Sequence, residues 1–440
     1  MINPPLILFG KVLAKAAQVM NLGHGSTWPG HLALKINKHF VQQLIQTTKM
    51  KTILVAGTNG KTTTSSLIKC ALENNGKKVI QNESGANLLN GIASTLLLHA
   101  TIRGNLAYDY AIFEVDENAL PKVLTEMQPD YLVLLNLFRD QLDRYGEVNT
   151  IVANWKRAIE KLSKKTTLIL NADDPQVASL GEKQTTVYFG LQPSQFSTKS
   201  IEHAADSVFC PNCNKKLTFT HVAFSHLGDW KCNTCGLKRP AITGQTPSSP
   251  DQIGIQSGQT KTVYPLPGLY NKYNTLAAKC VLDAIGLSDQ QINDSFLTFT
   301  PAFGRQEIIN YKNHHVQLFL SKNPTSFNQS YQTIKELGGK TILIVLNDRI
   351  PDGRDISWIW DVDFPDIQSV KNIIIAGDRA IDMGLRIKYE EYKNYQIYND
   401  LEQAIDAGVT SLRDNETLFI LPTYSAMLEV RKILTGKKIL

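Results

Sequence analysis

The stretch "ILVAGTNGKTTTSSLIKCAL", residues 53–72, reads as an apolar strand, a short polar loop and a helix. Gly57 and Gly60 let backbone amides converge on an anion at the start of the helix, with Thr58 and Asn59 between them. Lys61 adds a mobile positive charge, and the hydroxyl of Thr62 or Thr63 can reach a divalent metal. The general phosphate loop has a further glycine where this chain has Val55, so the match is to a compact variant, G-T-N-G-K-T. A bare glycine turn is the weaker alternative. Strand, glycine pair, Lys-Thr and helix occur in the order that a nucleoside triphosphate site requires.

Outward from this loop the chain alternates strands and helices. "KKVIQNES", "YDYAIFEVDE", "PDYLVLLNL" and "TTLILNADD" are further strands, and near-continuous apolar strands separated by helices imply a parallel sheet covered on both faces. Ligands then gather at the strands' carboxyl ends, where the polar motifs lie. After "TFTPAFGRQE" the alternation restarts with "VQLFLSKNP", "KTILIVLND", "VKNIIIAGD" and "TLFILPTYS", which read as a second α/β domain. The expected organisation is an N-terminal helical segment over residues 1–45, a central ATP-binding domain over 46–305 and a C-terminal α/β domain over 306–440. Residues from about 200 to 245 break the central pattern and read as an insertion. The turn-rich "GQTPSSPDQIGIQSGQTKT" then returns the chain to the central domain.

Composition narrows the class. With 440 residues, 42% hydrophobic and 20% charged, the chain suits two or three ordinary globular domains. No run of 18 or more apolar residues occurs, and "MINPPLILFGKVLAKAAQ" lacks the basic start and the length of a signal peptide, so the expected location is cytoplasmic. The net charge of +6 is scattered rather than gathered into a nucleic-acid-binding arm.

Six cysteines fall into two classes. Cys70 and Cys280 sit in apolar helical contexts and read as core residues. Cys210 and Cys213 in "CPNC", with Cys232 and Cys235 in "CNTC", have the spacing of a two-knuckle zinc site, disulfides being the weaker reading in a cytosolic chain. Four protein ligands leave no open coordination position, which makes a structural role the expectation.

Six segments, in order, resemble the Mur ligase superfamily: "GTNGKTTT", "EVDEN", "RDQLDRYG", "NADDP", "PGLYNKYNTLAA" and "FGRQE", spanning roughly residues 50 to 310. Two family histidines are replaced, by Gln141 and Tyr270, and the cysteine insertion is foreign to the peptide-forming members. Together with "DGRDISWIWDVDF" and "GDRAIDMGLRIKY" near the C-terminus, these departures resemble the amidating branch of the superfamily, the synthetase subunits of lipid II isoglutaminyl synthases.

The resemblance implies a carbon–nitrogen ligase of peptidoglycan synthesis, using ATP and Mg2+. It would convert the D-glutamate α-carboxylate of lipid II into an acyl phosphate and then an amide, at the inner membrane surface. On that reading Lys61 neutralises the β and γ phosphates, Thr62 ligates magnesium, and Glu114 is a second ligand, directly or through water. Asn271 is expected to bond adenine and Arg305 to reach the phosphates from the interdomain hinge, with Asn274, Ala277 and Ala278 shaping helix packing. Lys322 either joins Arg305 or is solvated. Lys156 stands at the family spacing for a carbamylated, metal-holding lysine, or is an ordinary helix-surface lysine.

Among the carboxylates of "NDRIPDGRDISWIWDVD", Asp355 is expected to orient ammonium and accept its proton beside the aromatic segment. Asp352 is expected to serve a turn and Asp348 to end a strand. None of the cysteines suits a glutaminase nucleophile, and the resemblance implies a separate GatD-like glutamine amidotransferase subunit as heterodimer partner, with no nucleic acid. An amino-acid-adding ligase of Mur or folylpolyglutamate type, and a non-enzymatic zinc-ribbon binding protein, are the competing readings.

Overall fold

The computed structural model describes residues 4–19, 27–82, 85–140, 148–192, 201–203, 205–242 and 262–437. Gln141, most of "RDQLDRYG", and the turn-rich return at 244–261 lie outside the described residues. Six strands form the first sheet: β1 (Lys51–Ala56), β2 (Val79–Gln81), β3 (Tyr110–Val115), β4 (Tyr131–Leu134), β5 (Thr167–Asn171) and β6 (Thr185–Phe189). Their order is β2-β3-β1-β4-β5-β6, and every pairing is parallel.

The apolar runs are explained by two cores. Alternate side chains of one strand point to opposite faces. Leu54 and Ala56 pack with Leu96, Leu97 and Trp155, while Ile53 and Val55 pack with Leu67, Ile68 and Val281. Each fully buried Leu or Ile contributes about 1.5–3 kcal/mol, so a polar residue within these strands would be costly. The polar residues accordingly stand at the strand ends. The chain order reverses direction beside β1, and that switch point opens a crevice at the carboxyl edge of the sheet.

Helices Pro4–Val19, Trp28–Ile36 and Phe40–Gln46 add a further layer over helix Leu89–His99, burying Leu6, Ile7, Ala33, Phe40 and Leu44. Gly30 permits the close approach: a Cβ there would stand 1.9 Å from the Asn90 carbonyl. Among the described residues no helix is long and apolar enough to cross a membrane.

The cysteine segment forms an antiparallel hairpin, β7 (Thr218–Phe224) with β8 (Leu227–Lys231). It is anchored to the first sheet by buried polar contacts. Trp230 Nε1 donates to the Ala172 carbonyl at 3.0 Å, and Asp173 accepts from Arg239 Nε and the Tyr273 hydroxyl at 2.6 Å each, and from the Leu191 amide at 3.0 Å. Burial raises the Asp173 pKa, while Arg239 and Tyr273 pull it back. A fully satisfied buried network of this kind fixes the hairpin's position.

The second sheet comprises β9 (Arg305–Tyr311), β10 (His314–Phe319), β11 (Thr341–Val345), β12 (Asn372–Ala376), β13 (Tyr395–Ile397) and β14 (Thr417–Pro422). The order is β13-β12-β11-β14-β10-β9, parallel except for the β9–β10 hairpin. Lys312 and Asn313, with φ of 48° and 64°, make the two-residue turn whose twist matches paired strands.

Candidate active site

β1 delivers the loop Gly57–Gly60 to the crevice, and Lys61 begins helix Lys61–Asn74. Asn136, just past β4, clamps the loop. Its carbonyl accepts from the Thr58 amide (3.0 Å), its Oδ1 from the Asn59 amide (2.9 Å), and its Nδ2 donates to the Asn59 carbonyl (3.1 Å). Thr58 Oγ1 exchanges hydrogen bonds with the Phe138 backbone at 3.2 and 3.0 Å. Gly60 has φ of 92°, and a Cβ there would lie 2.0 Å from Asn274 Oδ1. The loop therefore needs glycine for both conformation and space.

Lys61 Nζ turns back on its own loop, donating to the Gly57 carbonyl (2.5 Å) and pairing with Glu117 Oε2 (3.2 Å). Burial opposes ionisation of Glu117 but is outweighed by Lys61 and Lys322, which hold its carboxyl below the usual range. Thr62 Oγ1 donates to Glu114 Oε2 at 2.9 Å, and Gln81 Nε2 lies 3.4 Å from the other carboxylate oxygen. Burial pushes the Glu114 carboxyl up, opposed by Arg305, Thr62 and Lys61. Two oxygen donors this close, one a buried carboxylate facing a cavity, suit a hard divalent cation such as magnesium.

Two adjoining cavities, of about 700 and 1250 Å³, lie along the loop. Asn59, Gly60, Arg305 and Ser326 line both. The smaller is walled by Phe138, Phe224, Tyr270, Asn271 and Gln306, and Thr63 lines it too. Asn271 Nδ2 donates to the Pro267 carbonyl (2.8 Å), and its Oδ1 accepts from Asn274 (3.1 Å). The Tyr270 hydroxyl accepts from Gln306 Nε2 at 2.6 Å.

The larger cavity has the phosphate loop on one side and the second domain on the other. Lys322 pairs with Asp140 across it, and Asn323 Nδ2 donates to Asn59 Oδ1 at 3.2 Å. Burial works against the Lys322 charge, but Asp140 and Glu117 outweigh it and hold its pKa above the usual value. Lys322 and Asp140 also line a shallow third cavity of about 400 Å³, with Arg139, Asp355, Trp358 and Asp361. Asp355 is exposed there, its Oδ1 accepting from the Ser357 amide at 2.8 Å. Trp358 lines the same cavity, yet Asp355 stays open to water, and Trp360 points elsewhere, against Tyr389.

The comparisons with known proteins fit this architecture. Residues 55–282 match the Mur ligase middle domain and residues 320–427 the MurT ligase C-terminal domain. The chain is 34% identical, over 88% of its length and 87% of the relative's, to the lipid II isoglutaminyl synthase (glutamine-hydrolyzing) subunit MurT of Staphylococcus aureus. The chain belongs to the MurT branch of the Mur ligase family. The Streptococcus pneumoniae protein of the same description is 32% identical, with 95% of this chain and 94% of that one covered. Among solved structures, a pseudomurein peptide ligase type C from Methanothermus fervidus superposes with a TM-score of 0.65 at 25% identity, over 88% of this chain and 79% of that one.

In this MurT-family chain the other carboxylates of the Asp355 loop are engaged in packing. Asp352 is buried, accepting from the Ser425 amide at 2.7 Å and from the Ser425 hydroxyl, which ties the loop to helix Tyr424–Thr435. Asp361 pairs with Arg139, Asp363 with His203 and Asp348 with Arg379. Lys156 stands on the exposed side of helix Val148–Ile159, whose opposite side buries Ile151, Val152 and Trp155. Asn274 does more than shape helix packing, since its side chain fits beneath Gly60, whereas Ala277 and Ala278 are buried in the helix as expected. Cys70 and Cys280 are only partly buried.

Sequence reasoning missed Asn136, Glu117, Asp140 and Phe138. Asn136 carried a signal, a polar residue directly after an apolar strand; the others acquire meaning only through contacts across the fold.

The four ribbon sulfurs lie within 4.8 Å of one another, with Cys210–Cys235 and Cys213–Cys232 separations of 3.5 Å. Tetrahedral ligation at Zn–S distances of about 2.3 Å needs sulfurs roughly 3.8 Å apart, so the cluster has the size for zinc. Backbone amides of Cys235 and Thr234 aimed at Cys232 lower its pKa and favour a thiolate there, while burial and the neighbouring sulfurs raise those of Cys210 and Cys213.

Proposed function

We propose that this chain is the synthetase subunit of a lipid II isoglutaminyl synthase. It would amidate the D-glutamate α-carboxylate of lipid II with ATP, taking ammonia from a GatD-like glutaminase partner at the cytoplasmic membrane face. Support comes from the kinship with MurT subunits over most of the chain. One observation carries the chemistry: the cavity along the phosphate loop and the smaller cavity that Asp355 lines share Lys322 and Asp140.

Carboxylates do not react with amines at neutral pH, and ATP supplies the activation. A carboxylate oxygen of the substrate attacks the γ-phosphorus, the bond to the β-phosphate oxygen breaks, and ADP leaves. The convergent amides of Gly57–Gly60, Lys61 and Arg305 would stabilise the charge that develops on the transferring group. Thr62 and Glu114 would hold magnesium, which neutralises phosphate charge when bound. Lys61 must leave the Gly57 carbonyl to reach the phosphates, starting from its pair with Glu117. Ammonia then attacks the acyl carbon, the carbon–oxygen bond to phosphate breaks, and Asp355 takes a proton from the new nitrogen. Asn271, Tyr270 and Gln306 would border adenine. Zinc held by Cys210, Cys213, Cys232 and Cys235 would serve structure alone.

Mass spectrometry of lipid II incubated with the chain, ATP and ammonium separates this reading from its rivals. Replacement of one hydroxyl by an amine supports it. A residue-sized gain would mean amino-acid ligation, and an unchanged substrate would remove the enzymatic reading.

A further inference from the structure

The N-terminal helical layer leaves an apolar surface uncovered. In helix Pro4–Val19, Leu6, Ile7 and Gly10 face the protein, whereas Leu8, Phe9 and Val12 are 48%, 56% and 58% exposed. These three lie within one helical turn on the outward side. Trp28 and Ile36, at the two ends of the neighbouring helix, are 69% and 58% exposed. Isolated exposed apolar residues need no explanation, but five on two packed helices do.

The sequence that forms this layer carries one sign of charge. Residues 1–50 contain five lysines (Lys11, Lys15, Lys35, Lys38 and Lys49) and no aspartate or glutamate. Lys15, Lys35 and Lys38 are exposed. Exposed apolar side chains with an aromatic anchor and exposed lysines beside them have the composition of a surface that lies in a membrane interface among anionic headgroups. Neither helix can span a bilayer.

The layer is joined to the active site by helix Leu89–His99. At its C-terminal end Lys11 donates to the Leu98 carbonyl (2.9 Å), and Gly10 packs on Leu97. Toward its N-terminal end Gly30 donates to Ser94 Oγ (2.8 Å) and abuts Asn90, two residues from Trp28. Leu88, which precedes this helix, is half-exposed and lines the phosphate-loop cavity with Gly85 and Asn87. The uncovered surface therefore runs along one helix toward the mouth of that cavity.

We propose that the outward face formed by Leu8, Phe9, Val12, Trp28 and Ile36, with its lysine margin, docks the protein on an anionic bilayer. This rests on the lipid-linked substrate proposed above, and the surface would hold the cavity mouth near the plane from which the substrate's headgroup projects.

The test is co-sedimentation of the full-length chain, with any subunit that accompanies it, on vesicles of phosphatidylcholine with and without phosphatidylglycerol. Binding is expected only with the anionic lipid and falls as salt rises. It should weaken at least about tenfold in Phe9→Ser with Val12→Ser, and similarly in Lys15→Gln with Lys35→Gln. All four positions are exposed, so the fold should persist. Amidation of vesicle-borne lipid II should fall in the same variants, while a water-soluble short-chain analogue is processed normally. Absence of vesicle binding, binding unchanged in the variants, or a dimer that Phe9→Ser with Val12→Ser dissolves would each overturn the proposal. Because vesicle binding needs no turnover, a chain that binds but never amidates would refute the reaction and leave the docking surface standing.

Discussion

The two walls of the cleft are built on opposite plans. On the phosphate-loop side the functional groups are largely buried and interlocked: Asn136 fixes the loop backbone, Asn274 fills the space under Gly60, and Glu114 and Glu117 are each held by a partner. On the second-domain side most carboxylates are engaged in packing or ion pairs, and Asp355 is exposed, with a single backbone amide donating to it. The difference teaches where preorganisation is needed. Phosphate charge must be met by dipoles already in place, since reorganising them during the reaction would forfeit their stabilisation. A group that receives a proton from an arriving nucleophile must instead stay accessible.

Lys61→Ala should have the largest effect. Removing the ammonium should lower ATP-dependent amidation by roughly 10²–10³-fold or more, and it should lower the melting temperature as well, because buried Glu117 loses its partner. Near-normal turnover in that variant would break the assignment of the opening loop. Next come Asp355→Asn and Asp352→Asn, which sharpen the contrast within one loop. The first should eliminate amidation and leave melting temperature and nucleotide affinity unchanged. The second should lower stability by about 1–3 kcal/mol, because Asp352 is buried and holds Ser425. If Asp355→Asn is active while Asp352→Asn is folded and dead, the catalytic carboxylate has been assigned to the wrong residue.

Cys232→Ser should reduce bound zinc, measured by metal analysis, and destabilise the ribbon more than it changes nucleotide affinity. Full zinc content in the variant would contradict the ligand set. The smallest effect belongs to His203, which bonds Asp363 at 2.8 Å across the ribbon–second-domain contact and is 87% exposed. Asp363 raises its pKa above 6.5. A raised histidine pKa means the folded state holds the proton more tightly, so the stabilisation is complete below 6.5 and disappears as pH rises through the folded value. His203→Ala should therefore lower the melting temperature slightly in mildly acidic buffer and not at all in alkaline buffer. Equal losses in both would show that packing, and not charge, makes the contact.

The same contrast explains what the sequence made readable. The phosphate loop could be read at once because its function is local: two glycines, a lysine and a threonine are contiguous between a strand and a helix. The parallel α/β architecture could be read from apolar strand runs, and the ribbon from cysteine spacing. The clamp by Asn136, the Lys61–Glu117 pair and the Lys322–Asp140 pair join residues 56 to 182 positions apart, and only folding brings them together. The ribbon reads as an appendage, yet Phe224 and Phe138 stack at 6.1 Å and wall the smaller cavity. Nothing in a cysteine pattern specifies what the hairpin packs against. The exposed setting of Asp355 was likewise hidden, since "ISWIW" gives the aromatic residues without saying where they point.

The central claim is that the two walls perform separate half-reactions, activation at Lys61 and nitrogen attack at Asp355. Hydroxylamine tests it most directly, because it is largely uncharged at neutral pH and nucleophilic enough to trap an acyl phosphate as a hydroxamate with water, rather than an enzyme carboxylate, taking the proton. With lipid II, ATP and hydroxylamine, Asp355→Asn should form hydroxamate at close to the unmodified rate while giving no amide from ammonium, and Lys61→Ala should give neither product. Loss of hydroxamate formation in a folded Asp355→Asn chain, or normal amide formation by it, would contradict the division of labour.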